Sequence, residues 1–175
     1  MGGKGEEEAG HRRWRRWLIE ASLVVLVLGA IHLWQTRDLP VGRAPPLEGT
    51  LLDGRAVTLA QYRGKPLLVH FWATWCPVCR LEQGTIQALA QEWPVISVAL
   101  QSGDAEEVRR FMVREGLSFP VLVDESGRLA RRWKVSGVPV SFVLDGKGRI
   151  RHATVGYTTR AGLTLRLWLA ALNPE

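Results

Sequence analysis

Residues 66–93 read PLLVHFWATWCPVCRLEQGTIQALAQEW, and they leave the chain few folds to choose from. Pro66 to Trp72 is a nearly continuous apolar run of strand length, which suits the centre of a sheet covered on both faces. After Cys76, apolar residues at Val78, Leu81, Ile86 and Leu89 have helical spacing and predict a helix packed back on that sheet, with Gly84 as a weak spot. A buried strand that runs straight into a helix is an α/β arrangement. Both cysteines of the chain, Cys76 and Cys79, sit at the junction, two residues apart.

The flanking sequence extends the same pattern. LEGTLLDGRAVTL predicts two short strands around a turn at Asp53-Gly54, and VISVALQ and FPVLVD predict two more buried strands. Between these, DAEEVRRFMVREG predicts a helix capped by Asp104 and ended by Gly116. SGRLARRWKV reads as a short helix and VPVSFVLDGKGRIRHATVGY as a hairpin around Gly146-Lys147-Gly148. TRAGLTLRLWLAALN closes the chain as an amphipathic helix with Leu163, Leu167 and Leu169 to Ala170 on its buried side. The expected order is β-β-β-α-β-α-β-α-β-β-α in a domain spanning 44–175, preceded by a Pro-rich connector over 35–43.

The amino-terminal segment sets the expected compartment. Residues 17–34 are mostly apolar and as a helix would be roughly 27 Å long, enough to span a bilayer. Arg12, Arg13, Arg15 and Arg16 precede this run, so the positive-inside rule leaves a basic cytoplasmic tail over 1–16 and exports the chain beyond residue 34. The expectation is an uncleaved, single-pass anchor in the inner membrane with an extracytoplasmic, periplasmic domain. A cleaved signal peptide ending near VLGA and a twin-arginine signal at RRWLI stay open.

The chain carries 23 Lys+Arg against 17 Asp+Glu, a net charge of +6, of which residues 1–38 hold +1 and the remainder +5. Its arginines are scattered among acids with no basic stripe, so no nucleic-acid partner is expected.

Three uses compete for the two cysteines. As a structural bridge, a disulfide closing so short a loop barely constrains the unfolded chain. A zinc site needs four ligands, and His11, His32, His70 and His152 are scattered, while haem attachment needs a histidine where Arg80 follows Cys79. A two-thiolate copper(I) site stays open. As a reactive pair, Cys76 at the start of a helix meets unpaired N–H groups and the positive end of the dipole, both of which favour thiolate. Pro77 fits the first helical turn, and it holds Cys79 one turn away.

LLVHFWATWCPVCRLE, followed about sixty residues on by VSGVPVSFVLDGKGRI, resembles the membrane-anchored, thioredoxin-like disulfide oxidoreductases of the TlpA, ResA and DsbE type, most of all the branch called suppressor for copper sensitivity protein D. The resemblance covers the whole exported domain and implies a thioredoxin-like α/β fold with a central mixed sheet flanked by helices. It makes Cys76 the nucleophile and Cys79 the resolving thiol, and it makes the Val138-Pro139 bond cis, with Pro139 facing the cysteines. Glu82 falls where relatives carry a glutamate that tunes thiol protonation, against the alternative of an exposed helical residue. His70 stands where thioredoxins carry a buried Asp, and is either an active, titrating group or a packed neutral one. Trp75 is expected on the partner-docking surface. The resemblance further implies protein disulfides or dithiols as substrates, no organic cofactor or metal, and a DsbD-like membrane electron donor. The Pro77-Val78 dipeptide between the cysteines leaves the direction of transfer open.

Overall fold

The computed structural model describes residues 14, 17–27, 29–30, 37 and 39–172. The chain divides into two compact units, Met1–Arg37 and Asp38–Glu175. In the first, residues 17–27 are helical with exposed side chains, Leu18, Ile19 and Leu23 among them. The expected span over 17–34 continues through residues 28 and 31–34, which lie outside the described residues, as does the basic tail over 1–16 apart from Trp14. Among the described residues no helix is long and apolar enough to cross a membrane.

The second unit follows the order β1 (Gly42–Arg43), β2 (Glu48–Thr50), β3 (Ala56–Thr58), a 3-10 turn (Leu59–Tyr62), β4 (Leu67–Trp72), α1 (Pro77–Glu92), β5 (Val95–Leu100), α2 (Ala105–Arg114), β6 (Val121–Asp124), α3 (Arg128–Arg132), β7 (Val140–Leu144), β8 (Arg149–Val155) and α4 (Arg160–Leu172). Six strands form one mixed sheet in the order β1-β8-β7-β4-β5-β6, and β2 and β3 form a separate hairpin. β4, β5 and β6 are parallel and joined through helices, while β7 returns antiparallel to β4 and turns into β8. The strand that leads into the cysteine motif is thus central, and every residue of β4 and of β5 is buried.

Strand alternation sends β4 side chains to two separate cores. Leu67, Val69 and Phe71 join one, built around a cluster in which Phe71 lies 5.7 Å from Trp133 and Trp133 lies 5.0 Å from Phe142 between ring centroids. Leu68 and Trp72 join the other with Ile86 and Leu89 of α1, Phe111 of α2, and Leu163 and Leu167 of α4. Rings of this size bury enough apolar area that truncating one to alanine costs about 3–5 kcal/mol. At the start of α2, Asp104 accepts from Glu107 N–H at 2.8 Å while the Glu107 carboxylate accepts from Asp104 N–H at 3.0 Å, a reciprocal cap.

Three details differ from the sequence reading. The stretch read as connector contributes Leu39 to the core and Gly42–Arg43 to the sheet edge, where they pair with Ile150 and Arg149. In α1 the buried face is Cys79, Glu82, Gln83, Ile86 and Leu89, whereas Val78 is 41% and Leu81 74% exposed. With Cys79 turned inward, the i, i+3, i+4, i+7 track from it sets the phase of the helix, and two apolar residues are left outside. In α4 the same geometry buries Leu163, Leu167 and Ala170 and leaves Leu169 exposed.

Candidate active site

β4 ends at Trp72, and a short loop brings the chain to Cys76, which is the N-cap of α1 with extended backbone. The Cys76 Sγ accepts a hydrogen bond from Cys79 N–H at 3.1 Å, taking the place of the hydroxyl or carboxylate that usually caps a helix. Pro77 holds the first helical position, where a missing N–H leaves nothing unpaired. Cys76 and Cys79 are joined as a disulfide with Cα atoms 5.3 Å apart. Cys76 keeps a small exposed surface and Cys79 has none. On reduction, a Cys76 thiolate inherits the same N–H donor and the positive end of the α1 dipole, both of which lower its pKa.

The loop before β7 closes over this sulfur. The Val138-Pro139 peptide is cis, Pro139 is buried, and the Val138 carbonyl lies 3.6 Å from Cys76 Sγ. Val138 packs against both hydrophobic cores.

Glu82 sits one turn along α1 from Cys79 on the same inward face and is fully buried, so the alternative of an exposed helical glutamate does not hold. Its Oε1 accepts from Thr158 N–H at 2.9 Å, just ahead of α4, while Oε2 is buried without a partner among the described residues. Burial pushes this carboxyl up to about 7, against the opposing pull of the Thr158 hydrogen bond.

His70 is central in β4, in register with Ser97 of β5 and Ser141 of β7. Its Nδ1 bonds the Ser141 hydroxyl at 3.0 Å, and burial drives the imidazole down to about 3, so it is neutral. Burial and the Ser141 hydrogen bond are what the packed reading of His70 expects. Beside it, Trp72 Nε1 donates to Ser97 Oγ at 3.1 Å, and Ser97 Oγ donates to the Pro120 carbonyl at 2.8 Å. Trp72 is a core residue, whereas Trp75 is 58% exposed.

The β5–α2 loop also supports the site. Trp75 Nε1 donates to the Gln101 carbonyl at 3.0 Å, and Thr74 N–H donates to Ser102 Oγ at 3.0 Å. From α1, Arg80 donates to the Thr74 carbonyl at 3.3 Å. Sequence reasoning missed Gln101, Ser102 and Arg80, because an ordinary-looking QSG turn and a surface arginine carry no chemical signature. Among the described residues no group of three or more His, Cys, Asp or Glu is placed to hold a metal ion.

His70 and Glu82 pull the pH dependence of stability in opposite directions. With a folded value of about 3 against the ordinary 6.5, His70 binds a proton only in the unfolded chain between those values, so stability falls as pH drops below 6.5. With a folded value of about 7 against 4.5, Glu82 binds its proton only in the folded chain, so stability rises as pH drops from 7 to 4.5. The two slopes offset each other between 4.5 and 6.5. Glu82→Gln should therefore lose up to about 1.4 kcal/mol per pH unit on acidification across that window, where the wild type stays nearly level. Urea unfolding at three pH values reads the difference; parallel curves for the two proteins would contradict this assignment.

Comparison with known proteins agrees with this geometry. Residues 41–153 match the AhpC/TSA family. A thioredoxin-like protein of Haemophilus influenzae is 38% identical over 121 residues, 68% of this chain and 72% of its own. A thiol:disulfide interchange protein DsbE homolog of Paracoccus denitrificans is 35% identical over 130 residues, 72% of each chain. The crystal structure of a thiol:disulfide interchange protein of the thioredoxin family from Chlorobium tepidum superposes with a TM-score of 0.66 at 27% identity, covering 77% of this chain and 99% of the other. The chain belongs to the AhpC/TSA family, and within it is a thioredoxin-like thiol–disulfide oxidoreductase of the DsbE type whose dithiol is Cys76 and Cys79.

Proposed function

We propose that this oxidoreductase works as a reductase of disulfides in exported proteins, held at the inner membrane by its amino-terminal segment with the dithiol domain on the periplasmic side. The observation that carries the chemistry is the Cys76 sulfur in the N-cap of α1, accepting the Cys79 N–H, with Cys79 sealed behind it. In the reduced enzyme the Cys76 thiolate attacks one sulfur of a substrate disulfide. A Cys76–substrate bond forms, the substrate S–S bond breaks, and the released sulfur leaves as thiolate and takes a proton. Cys79 then gives up its proton to the buried Glu82 carboxylate on the same inward face of the helix and attacks Cys76 Sγ. The second substrate sulfur departs reduced and the Cys76–Cys79 disulfide closes.

Each turnover leaves two electrons with the substrate, so an external dithiol has to return them. In an oxidising compartment the donor that fits is a DsbD-like membrane carrier. The exported location is supported by the four arginines ahead of an apolar run and by the exposed apolar side chains of residues 17–27. Cytochrome c maturation and repair of copper-stressed proteins are the services such an enzyme would perform, the second being the one suggested by resemblance to the copper-sensitivity branch.

Equilibration with glutathione gives the direction. A reductase should have a potential below about −200 mV, whereas a value near −120 mV would make the enzyme an oxidant. Tight one-to-one copper(I) binding without turnover would instead mark the pair as a metal site.

The location is tested by fusing a reporter that functions only outside the cytoplasm after residue 38. Activity is expected, and a silent fusion would overturn the exported topology.

A further inference from the structure

The residues around Cys76 fall into two groups, those that react and those that are merely held still. Trp75 and Arg80 belong to the second. Trp75 leaves 58% of its surface in solvent, yet its indole N–H is fixed on the Gln101 carbonyl at 3.0 Å. Gln101 itself has φ of 44°, a left-handed conformation that costs a non-glycine residue energy and is kept only where the surroundings impose it. The same loop grips the preceding residue, since Ser102 Oγ accepts Thr74 N–H. Arg80 is bound from the other side, donating to the Thr74 carbonyl while its guanidinium lies 5.7 Å from the centroid of the Phe111 ring. No carboxylate neutralises Arg80 among the described residues. An exposed indole and an uncompensated cation are therefore locked at neighbouring points, and the nucleophile is the next residue after Trp75 in the chain.

The face of α1 beside them has its polarity reversed. Val78 and Leu81 point to solvent while Glu82 and Gln83 point inward. Apolar side chains that could have been buried and are not, next to a reacting sulfur, mark a surface that a partner covers. Preorganisation of Trp75 and Arg80 lowers the ordering cost when that partner arrives.

We infer that Trp75 and Arg80 form a preorganised docking pair that selects protein disulfides lying beside an apolar side chain and a carboxylate. The inference rests on the reductase reading and adds a substrate class to it. The carboxylate meets the Arg80 guanidinium; the apolar side chain is covered by Trp75 and the Val78–Leu81 face. The attack on the disulfide proceeds through the bond exchanges of the reductase cycle, with nothing added to its balance.

The test uses three short peptides, each closed by an internal disulfide and identical except beside one cysteine: leucine with aspartate, leucine with lysine, and serine with aspartate. Single-turnover rate constants with the pre-reduced full chain in detergent are each divided by the peptide's rate with 2-mercaptoethanol, which removes intrinsic reactivity. The leucine–aspartate peptide should exceed the leucine–lysine peptide by about fivefold at low salt, the size expected of one exposed ion pair. That ratio should shrink as ionic strength rises and should invert in Arg80→Glu. Because Arg80→Glu also changes the charge on the residue next to Cys79, the ratio is the decisive readout: a change in sulfur reactivity alters both rates and cancels, whereas docking does not. Exchange of leucine for serine should slow the wild type and leave Trp75→Ala much less affected. A wild-type ratio near one, or a ratio that Arg80→Glu leaves in place, would overturn the docking pair while the reductase stands. Failure of the wild type to reduce any of the three peptides, or insulin, would overturn the reductase reading and the docking pair with it.

Discussion

Everything at this site depends on one substitution of chemistry: a sulfur stands where a helix expects an oxygen cap. The first N–H groups of α1 have no partners within the helix, and Cys76 Sγ satisfies one of them by accepting from Cys79. The same geometry serves structure and reactivity, since the N–H that the sulfur caps in the oxidised state stabilises negative charge on that sulfur in the reduced one. Pro77 keeps the first turn rigid without sacrificing a hydrogen bond. β4, buried on both faces at the centre of the sheet, delivers the cap to a fixed point at the end of the strand.

Around that point the fold separates tasks by depth. The Val138 carbonyl and the loop that carries the buried Pro139 lie over Cys76. One turn deeper, Cys79 and Glu82 share an interior that excludes water, which is why the Glu82 carboxyl holds its proton to about 7. Within the sheet, His70 and Ser141 fasten β4 to β7, the strand that follows the proline loop. The buried carboxyl near the cysteines is thus on the helix. The sheet position beneath them, acidic in the thioredoxins that this chain resembles, is filled here by a neutral imidazole that links two strands.

Much of this was legible in the sequence, and the misses share a cause. Continuous apolar runs located the central strands, period 3.6 the helices, and cap and turn residues the Asp104 cap and the hairpins, because in those places burial and hydrogen bonding follow local rules. Hydrophobicity alone failed on α1, where it placed Val78 and Leu81 inside. The inward turn of Cys79 sets the helix phase, so a glutamate and a glutamine are buried in preference to a valine and a leucine. Gln101, Ser102 and Arg80 were invisible for another reason: two of them act through backbone carbonyls, Gln101 by offering its own and Arg80 by binding that of Thr74. The strand at Gly42–Arg43 was hidden because two edge residues paired with β8 leave no pattern of their own.

The central claim is that helix-end geometry, not exposure alone, makes Cys76 the nucleophile. Alkylation of the fully reduced protein as a function of pH, with each thiol mapped by mass, tests it directly. The account predicts that Cys76 reacts first and titrates below an ordinary thiol, because the helix end favours its thiolate, while Cys79 stays protected. Faster modification of Cys79, or a Cys76 profile centred at about 8.5, would contradict it.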